Sequence, residues 1–340
     1  MLISPTNRPQ VFITMGDPSG IGPEVIMRSM ASPGIEGLAI FIIVGDAGVI
    51  ENASRTVYNG NLAVHMIGDG DERIVLDEGR LNVLDPGPAL CSVAAGMPTD
   101  EGAAKALKCL DAAVRSMEIS SDETPKALVT APVSKERIAR IFPGFIGHTE
   151  YLRDLYSAEM VTMVMAGKNL CVVPVTRHIP LKDVAGKLSA ALITRTLVQV
   201  AKNRKIICGR EDARIGVCAL NPHCGEGGRI GDEEGRIIAP AISEAKDVYG
   251  AIEGPMPADV IFYKAISGHI DIVVGMYHDQ CLAPFKMVDF DNGVNMTLGL
   301  RHVRTSPDHG TAFDIAGKGT ANPSSMIQAI KLALRAIGVL

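Results

Sequence analysis

The stretch GMYHDQC, Gly275 to Cys281, follows the apolar run that starts at Ile270, so a buried strand ends in side chains able to do acid–base, ligand or redox chemistry. His278 is open to three readings: a base oriented by Asp279, a metal ligand, or a polar strand end. Two more histidines have similar surroundings. His178 in VTRHIPL follows the run ending at Val175, and His223 in LNPHCGEGG follows Leu220 in a loop too glycine-rich to be core. One such histidine is more often a hydrogen-bonded strand end; three in equivalent positions favour function. Neutral imidazole is the commonest protein ligand for zinc-like metals, and three of them leave coordination positions open, as in catalytic sites. Their separation is too long for a local motif. A Ser-His-Asp hydrolase is disfavoured, because neighbours on an extended segment point apart and leave Asp279 poorly placed to orient His278. No Gly-x-Ser-x-Gly elbow is present either.

Other candidates are weaker singly. In GHTEYL, Thr149 reads as a helix cap with Glu150 in the first turn, which leaves His148 unexplained. Lys286, Asn295 and Arg304 are each more often solvated or capping residues, yet together they supply the cations and amide that a phosphorylated, carboxylated substrate requires. The glycine-rich MGDPSGIGPE, Met15 to Glu24, lacks Gly-Lys-Ser/Thr, and Val25 replaces the third glycine of a dinucleotide fingerprint. It reads equally as a tight turn with Pro23 opening a helix, or as a loop whose N–H groups face an anion.

These residues need a scaffold. Val- and Ile-rich runs at 11–15, 39–44, 127–130, 161–165, 170–175, 215–220, 270–275 and 294–298 alternate with helical patterns at 100–119, 184–203, 233–248 and 324–337. That alternation predicts a largely parallel α/β sheet with ligands at the carboxyl ends of its strands. A chain of 340 residues suits about two domains, and 47% hydrophobic against 21% charged residues argues for a packed core. A formal charge of −5 gives no basic footprint for nucleic acid. No run approaches the ~18 apolar residues of a membrane span, and MLISPTNRPQ lacks a signal-peptide pattern, so a cytoplasmic enzyme is expected. Seven scattered cysteines without a C-x-x-C predict free thiols, with neither a disulfide framework nor a thiolate zinc knuckle.

Taken in order, GDPSGIGPE, TAPVSKE, GHTEYL, VTRHIPL, LNPHCGEGG, MYHDQ and GVNMTLGL with RTSPDHGTAFDIAGKG resemble the 4-hydroxythreonine-4-phosphate dehydrogenases of pyridoxal phosphate biosynthesis. The resemblance covers essentially the whole chain. It implies a two-domain isocitrate/isopropylmalate dehydrogenase-like α/β fold, with a cofactor-side domain at 1–150 plus 300–340 and a metal, substrate and dimerisation domain at 151–299. It implies a homodimer with active sites between subunits and one divalent metal (Zn, Co, Mg, Mn or Ni) on His178, His223 and His278. Substrate would bind His148, Thr149, Lys286, Asn295 and Arg304. The segment Asp308–Pro323 is similar to the cofactor loop of isopropylmalate and isocitrate dehydrogenases, which implies that His309, Gly310, Ala312, Asp314 and Asn322 surround the adenosine half of NAD or NADP.

The implied reaction oxidises C3 of 4-phosphohydroxy-L-threonine and then loses CO2 to give 3-amino-2-oxopropyl phosphate. Lys286 would stabilise charge or shuttle a proton, and Asp279 would handle protons or hold a ligand. Arg301 and His302 stand where the family has Pro and an aromatic or aliphatic residue, and Cys224 and Cys281 replace small residues. Two extra cationic-capable groups beside Arg304 bear on substrate choice, and the resemblance also implies an alternative: 4-phospho-D-threonate or 4-phospho-D-erythronate, which lack the amine. A metal hydrolase without NAD and a non-catalytic scaffold are rival classes, but every mapped ligand and donor position is present.

Overall fold

The computed structural model describes residues 8–35, 37–58, 64–67, 81–119 and 124–340; residues 1–7 of the stretch read for a targeting signal lie outside them. The chain divides into two compact units, Met1–Ala158 with Leu300–Leu340, and Glu159–Gly299. A boundary at 150 would cut a helix that packs within the first unit. The division falls past that helix instead.

The first unit opens with β1 (Gln10–Thr14), α1 (Gly22–Met30), β2 (Ile40–Val44), α2 (Ala47–Tyr58), β3 (Val64–Ile67) and β4 (Leu81–Leu84). It continues with α3 (Asp100–Ile119), β5 (Lys126–Thr130), α4 (Lys135–Ile141) and α5 (His148–Leu155). β1 and β5 are buried along their whole length, as continuous apolar strands covered on both faces must be. α3 carries Asp100 and Glu101 at its positive end and buries Ala103, Ala106, Leu110, Ala113 and Met117 at helical spacing. Phe145 and Tyr151 pack with Ala103 and Ile138, which fixes α3, α4 and α5 together.

The second unit contains β6 (Thr162–Ala166), β7 (Cys171–Pro174), α6 (Val184–Lys187), α7 (Ala190–Cys208), β8 (Ile215–Cys218), α8 (Ala239–Lys246), β9 (Ile252–Met256), α9 (Ala258–Ile266), β10 (Ile272–Gly275), α10 (His278–Asp289) and β11 (Val294–Leu298). The helix expected from Val184 is broken: Ser189 is extended and its hydroxyl accepts Leu192 N–H, so a new helix starts at Ala190. In this unit the strands run β11-β6-β7-β10-β8-β9, antiparallel across the first two pairings and parallel beyond.

The chain then returns to the first unit as β12 (Arg304–Pro307) and α11 (Ser324–Ala336). There the order is β3-β4-β2-β1-β5-β12, parallel throughout. Thr14 stands opposite both Val44 and Thr130, so three strands end level and release their loops at one edge. Among the described residues no helix is long and apolar enough to cross a membrane.

Candidate active site

In the second unit the pairing of β7 with β10 continues past both strands. Val175 N–H donates to Gly275 O at 2.8 Å, and the Thr176 N–H and hydroxyl both donate to Met276 O. This brings the next residues together, and the rings of His178 and His278 lie 5.6 Å apart, centroid to centroid. Gln280 locks the neighbouring strand end. Its amide donates to Ala219 O at 2.7 Å, and its oxygen accepts Met276 N–H at 2.6 Å. His278 Nδ1 lies 2.6 Å from Asp279 Oδ1, which corrects the expectation that Asp279 is poorly placed to orient this ring. The extended geometry behind that expectation ends at Tyr277, and the two residues form the first turn of α10. A carboxylate on Nδ1 directs Nε2 outward as the donor for a metal.

Cys281 is not part of this chemistry. It is buried in the core, burial pushes its thiol up to about 12, and a Cβ on Gly275 would come within 2.4 Å of its sulfur. Lys286 sits farther along α10, half-buried, its ammonium 5.2 Å from the centre of the Phe290 ring. On β11, Asn295 keeps its side-chain oxygen buried without a hydrogen-bond partner in the chain.

His223 occupies an unusual turn. Residues His223 to Gly227 all have positive φ, between 44° and 73°, and three of them are not glycine. Such a left-handed run costs roughly 1–2 kcal/mol for each non-glycine residue. Glu234 holds it: one carboxylate oxygen accepts the N–H groups of Leu220 and Asn221 at 2.9 and 2.7 Å, and the other accepts the Asn221 amide at 3.0 Å. Burial raises the Glu234 carboxyl, but these donors outweigh it and leave the group below its ordinary value. The turn displays His223 at 69% exposure, with Nδ1 3.0 Å from Glu226 Oε1. Among the described residues of one chain no group of three His, Cys, Asp or Glu is placed to hold an ion. His178 and His278 converge, and His223 does not join them.

The first unit carries a separate anion-shaped cluster. Arg304 is 3% exposed, and its Nε and Nη2 both donate to Thr130 Oγ1, at 2.9 and 2.6 Å. Burial lowers the guanidinium to about 9, against the pull of Glu150. His148, at the first turn of α5, is pushed well below its usual value by burial, then by Arg304 and Lys135. Thr149 beside it is buried. Lys135 Nζ lies 3.5 Å from where a Cβ on Gly147 would sit, so the lysine reaches the start of α5. Thr130 and Lys135 were missed from the sequence, although both belong to TAPVSKE. A hydroxyl at a buried strand end, followed by a lysine one turn later, is their only signal. Arg301 and His302 do not extend this cluster. Arg301 pairs with Glu118, and His302, whose Nε2 lies 3.2 Å from the same carboxylate, is shifted below its ordinary value by burial, so Arg301's charge is matched at the end of α3 and His302 adds none.

Also in the first unit, the glycine-rich loop and the segment after β12 form one layer. Ile21 N–H donates to Thr311 O at 3.0 Å, Ala321 N–H donates to Glu24 Oε1 at 3.0 Å, and Arg28 reaches Gly319 O at 2.6 Å. The loop is buried from Met15 to Glu24. Gly16 has φ of +73°, and a Cβ there would meet Pro132 O at 2.3 Å, so the backbones touch. In the neighbouring segment Ala312 is held at φ +42°, and His309 Nε2 is buried without a partner. Gly310, Asp314 and Asn322 are exposed, and Asn322 Oδ1 accepts Ser324 N–H at 3.0 Å at the start of α11.

The model of the pyridoxal phosphate biosynthetic protein PdxA matches residues 38–333. The chain belongs to the PdxA family. A 4-hydroxythreonine-4-phosphate dehydrogenase of Desulfosudis oleivorans is 41% identical over 328 residues, covering 96% of each chain. A D-threonate 4-phosphate dehydrogenase of Cupriavidus necator is 39% identical, over 95% of this chain and 96% of its own. The crystal structure of a 4-hydroxythreonine-4-phosphate dehydrogenase from Burkholderia phymatum superposes with a TM-score of 0.80 at 34% identity, covering 97% of this chain and 98% of its own. Dehydrogenases throughout this set make the chain an oxidoreductase of the PdxA type with a mixed α/β fold.

Proposed function

We propose that the chain oxidises 4-phosphohydroxy-L-threonine at C3 in an NAD-dependent, metal-assisted reaction that ends in decarboxylation to 3-amino-2-oxopropyl phosphate. The observation that carries this reading is the cluster of Arg304, Thr130, His148, Thr149 and Lys135. A guanidinium kept 97% from water beside a lysine and an uncharged imidazole suits a phosphorylated substrate. Asn295 belongs to the same proposed substrate set: its buried side-chain oxygen calls for a donor of the kind a substrate hydroxyl or amine supplies.

His178 and His278 fit as two imidazole ligands of a divalent ion, with Asp279 setting the His278 tautomer. His223, exposed on its braced turn, is the third ligand, contributed by a second copy in a homodimer. When bound, the ion would acidify the substrate hydroxyl and polarise the ketone, while NAD accepts the hydride. The chain's own residues do the rest. Arg304 and Lys135 hold the phosphate, Lys286 offsets negative charge near the carboxylate or returns a proton, and His148, kept neutral, donates or accepts one hydrogen bond without adding charge. Seven free thiols suit a cytoplasmic setting.

A second reading is supported by the Cupriavidus relative: oxidation of 4-phospho-D-threonate, or its erythronate isomer, in sugar-acid breakdown. The test is a spectrophotometric NADH assay of metal-loaded protein with 4-phosphohydroxy-L-threonine, 4-phospho-D-threonate and 4-phospho-D-erythronate. The highest kcat/KM is expected with the first, and a preference for either acid without an amine overturns the vitamin B6 assignment.

A further inference from the structure

Glu150 reaches the cluster of Arg304, Lys135, His148 and Thr149 from the first turn of α5. Its carboxylate pulls on the Arg304 guanidinium and opposes the lowering that burial imposes there. A Cβ on Gly147 would lie 3.4 Å from Glu150 Oε2 and 3.5 Å from Lys135 Nζ, so the carboxylate and the ammonium flank one bare stretch of backbone. A negative charge therefore stands against both cations assigned to the phosphate, while His148 stays uncharged. Glu150 is only half-buried, so an incoming anion meets it in a partly solvated site.

The start of the helix explains only part of this. A Glu in the first turn complements the positive end of α5, and Gly147 before it has no side chain to act as a cap. Glutamine serves a helix start as well. The carboxylate does more, because a phosphate monoester carries about −1.5 to −2 charge at neutral pH and Glu150 repels it. The reaction supplies a reason. Substrate and product both carry the phosphate, so grip on that group strengthens both alike; it lowers KM without speeding the chemical step, and it slows departure of the product. Arg304, 3% exposed and donating from Nε and Nη2 to Thr130, is a rigid and strong grip. Glu150 moderates it.

We infer that Glu150 is a charge-balancing residue of the phosphate site: it offsets one of the two cations, so that the phosphate group by itself is held loosely and a phosphorylated product leaves. The inference rests on the phosphorylated substrate of the proposed function. It acts on the phosphate through charge and through Arg304, not by a contact of its own with the reacting atoms.

The experiment is calorimetric titration of the full chain with inorganic phosphate, alongside thermal melting and phosphate inhibition in the NADH assay. Glu150→Gln removes the charge and keeps the shape. Glu136→Gln removes the same charge from the surface of α4, where Glu136 is 77% exposed and pairs with Arg140 at 2.6 Å. Glu150→Gln is expected to melt normally and to bind phosphate about tenfold more tightly than wild type, the scale of one unit charge in a partly solvated site. Phosphate inhibition strengthens to match, KM for the phosphorylated substrate falls in step, and kcat does not rise. Glu136→Gln leaves these values unchanged. Equal tightening in the two variants would assign the effect to the net charge of the chain, and unchanged or weaker phosphate binding in folded Glu150→Gln would reduce Glu150 to a helix-start residue. Either result overturns the inference and leaves the phosphate reading of the cluster intact. Absence of phosphate binding from both wild type and Glu150→Gln overturns that reading as well.

Discussion

His148 is held uncharged beside Arg304 and Lys135, and that has a measurable consequence. Its pKa in the folded chain lies below its ordinary value, through burial and then through Arg304 and Lys135. The unfolded chain therefore binds the proton more readily, and stability rises with pH across the interval between the two values. The contribution is complete above the unfolded value of about 6.5 and is lost as pH falls through the folded one. His302 is shifted in the same direction, by burial opposed by Glu118, and adds with the same sign. Denaturant unfolding between neutral pH and mild acid should show stability falling below about pH 6.5, and His148→Gln should flatten the fall. An unchanged slope in that variant would assign the effect to other groups. The sequence makes His148, Thr149 and Arg304 legible only as members of a set. Thr130 and Lys135 stay hidden because their roles depend on β5 lying beside β12, a pairing between residues far apart in the chain.

At the scale of elements, the turn carrying His223 depends on one carboxylate. Glu234 satisfies two backbone N–H groups and a side-chain amide at the foot of five consecutive left-handed residues. Glu234→Ala leaves those part-buried donors unmatched, a loss of about 1–3 kcal/mol, and should lower metal content more than Glu233→Ala, which removes one contact to Asn221. Urea unfolding and metal analysis of the two variants check this; equal effects would show that the turn holds itself. Regular elements were readable where periodicity was unbroken. The helix at Asp100–Ile119 and the strand at Val294–Leu298 fall where the pattern puts them. The pattern fails where local chemistry overrides hydrophobicity: Ser189 restarts a helix within a continuous amphipathic stretch, and Pro284 sits inside α10. It fails again at His278, where α10 begins and its first turn brings Asp279 onto the ring.

At the scale of the whole molecule, the histidines bear on assembly. One chain brings His178 and His278 together, and no three-ligand group exists among its described residues. If His223 of one copy completes the pair of another, each site of a two-fold dimer draws on both chains. His223→Ala and His278→Ala should then be inactive and metal-poor as separate homodimers. Unfolded together and refolded at equal concentration, half of the dimers carry one copy of each. In such a heterodimer both defects fall in one site, and the other site is complete. Random assortment therefore restores about one quarter of wild-type activity and bound metal. Mixing His178→Ala with His278→Ala should restore nothing, because those two ligands belong to the same chain's pair. Recovery in that second mixture would place His178 and His278 on different chains, and its absence in the first, despite heterodimers detected by native mass spectrometry, would place all three ligands within one subunit.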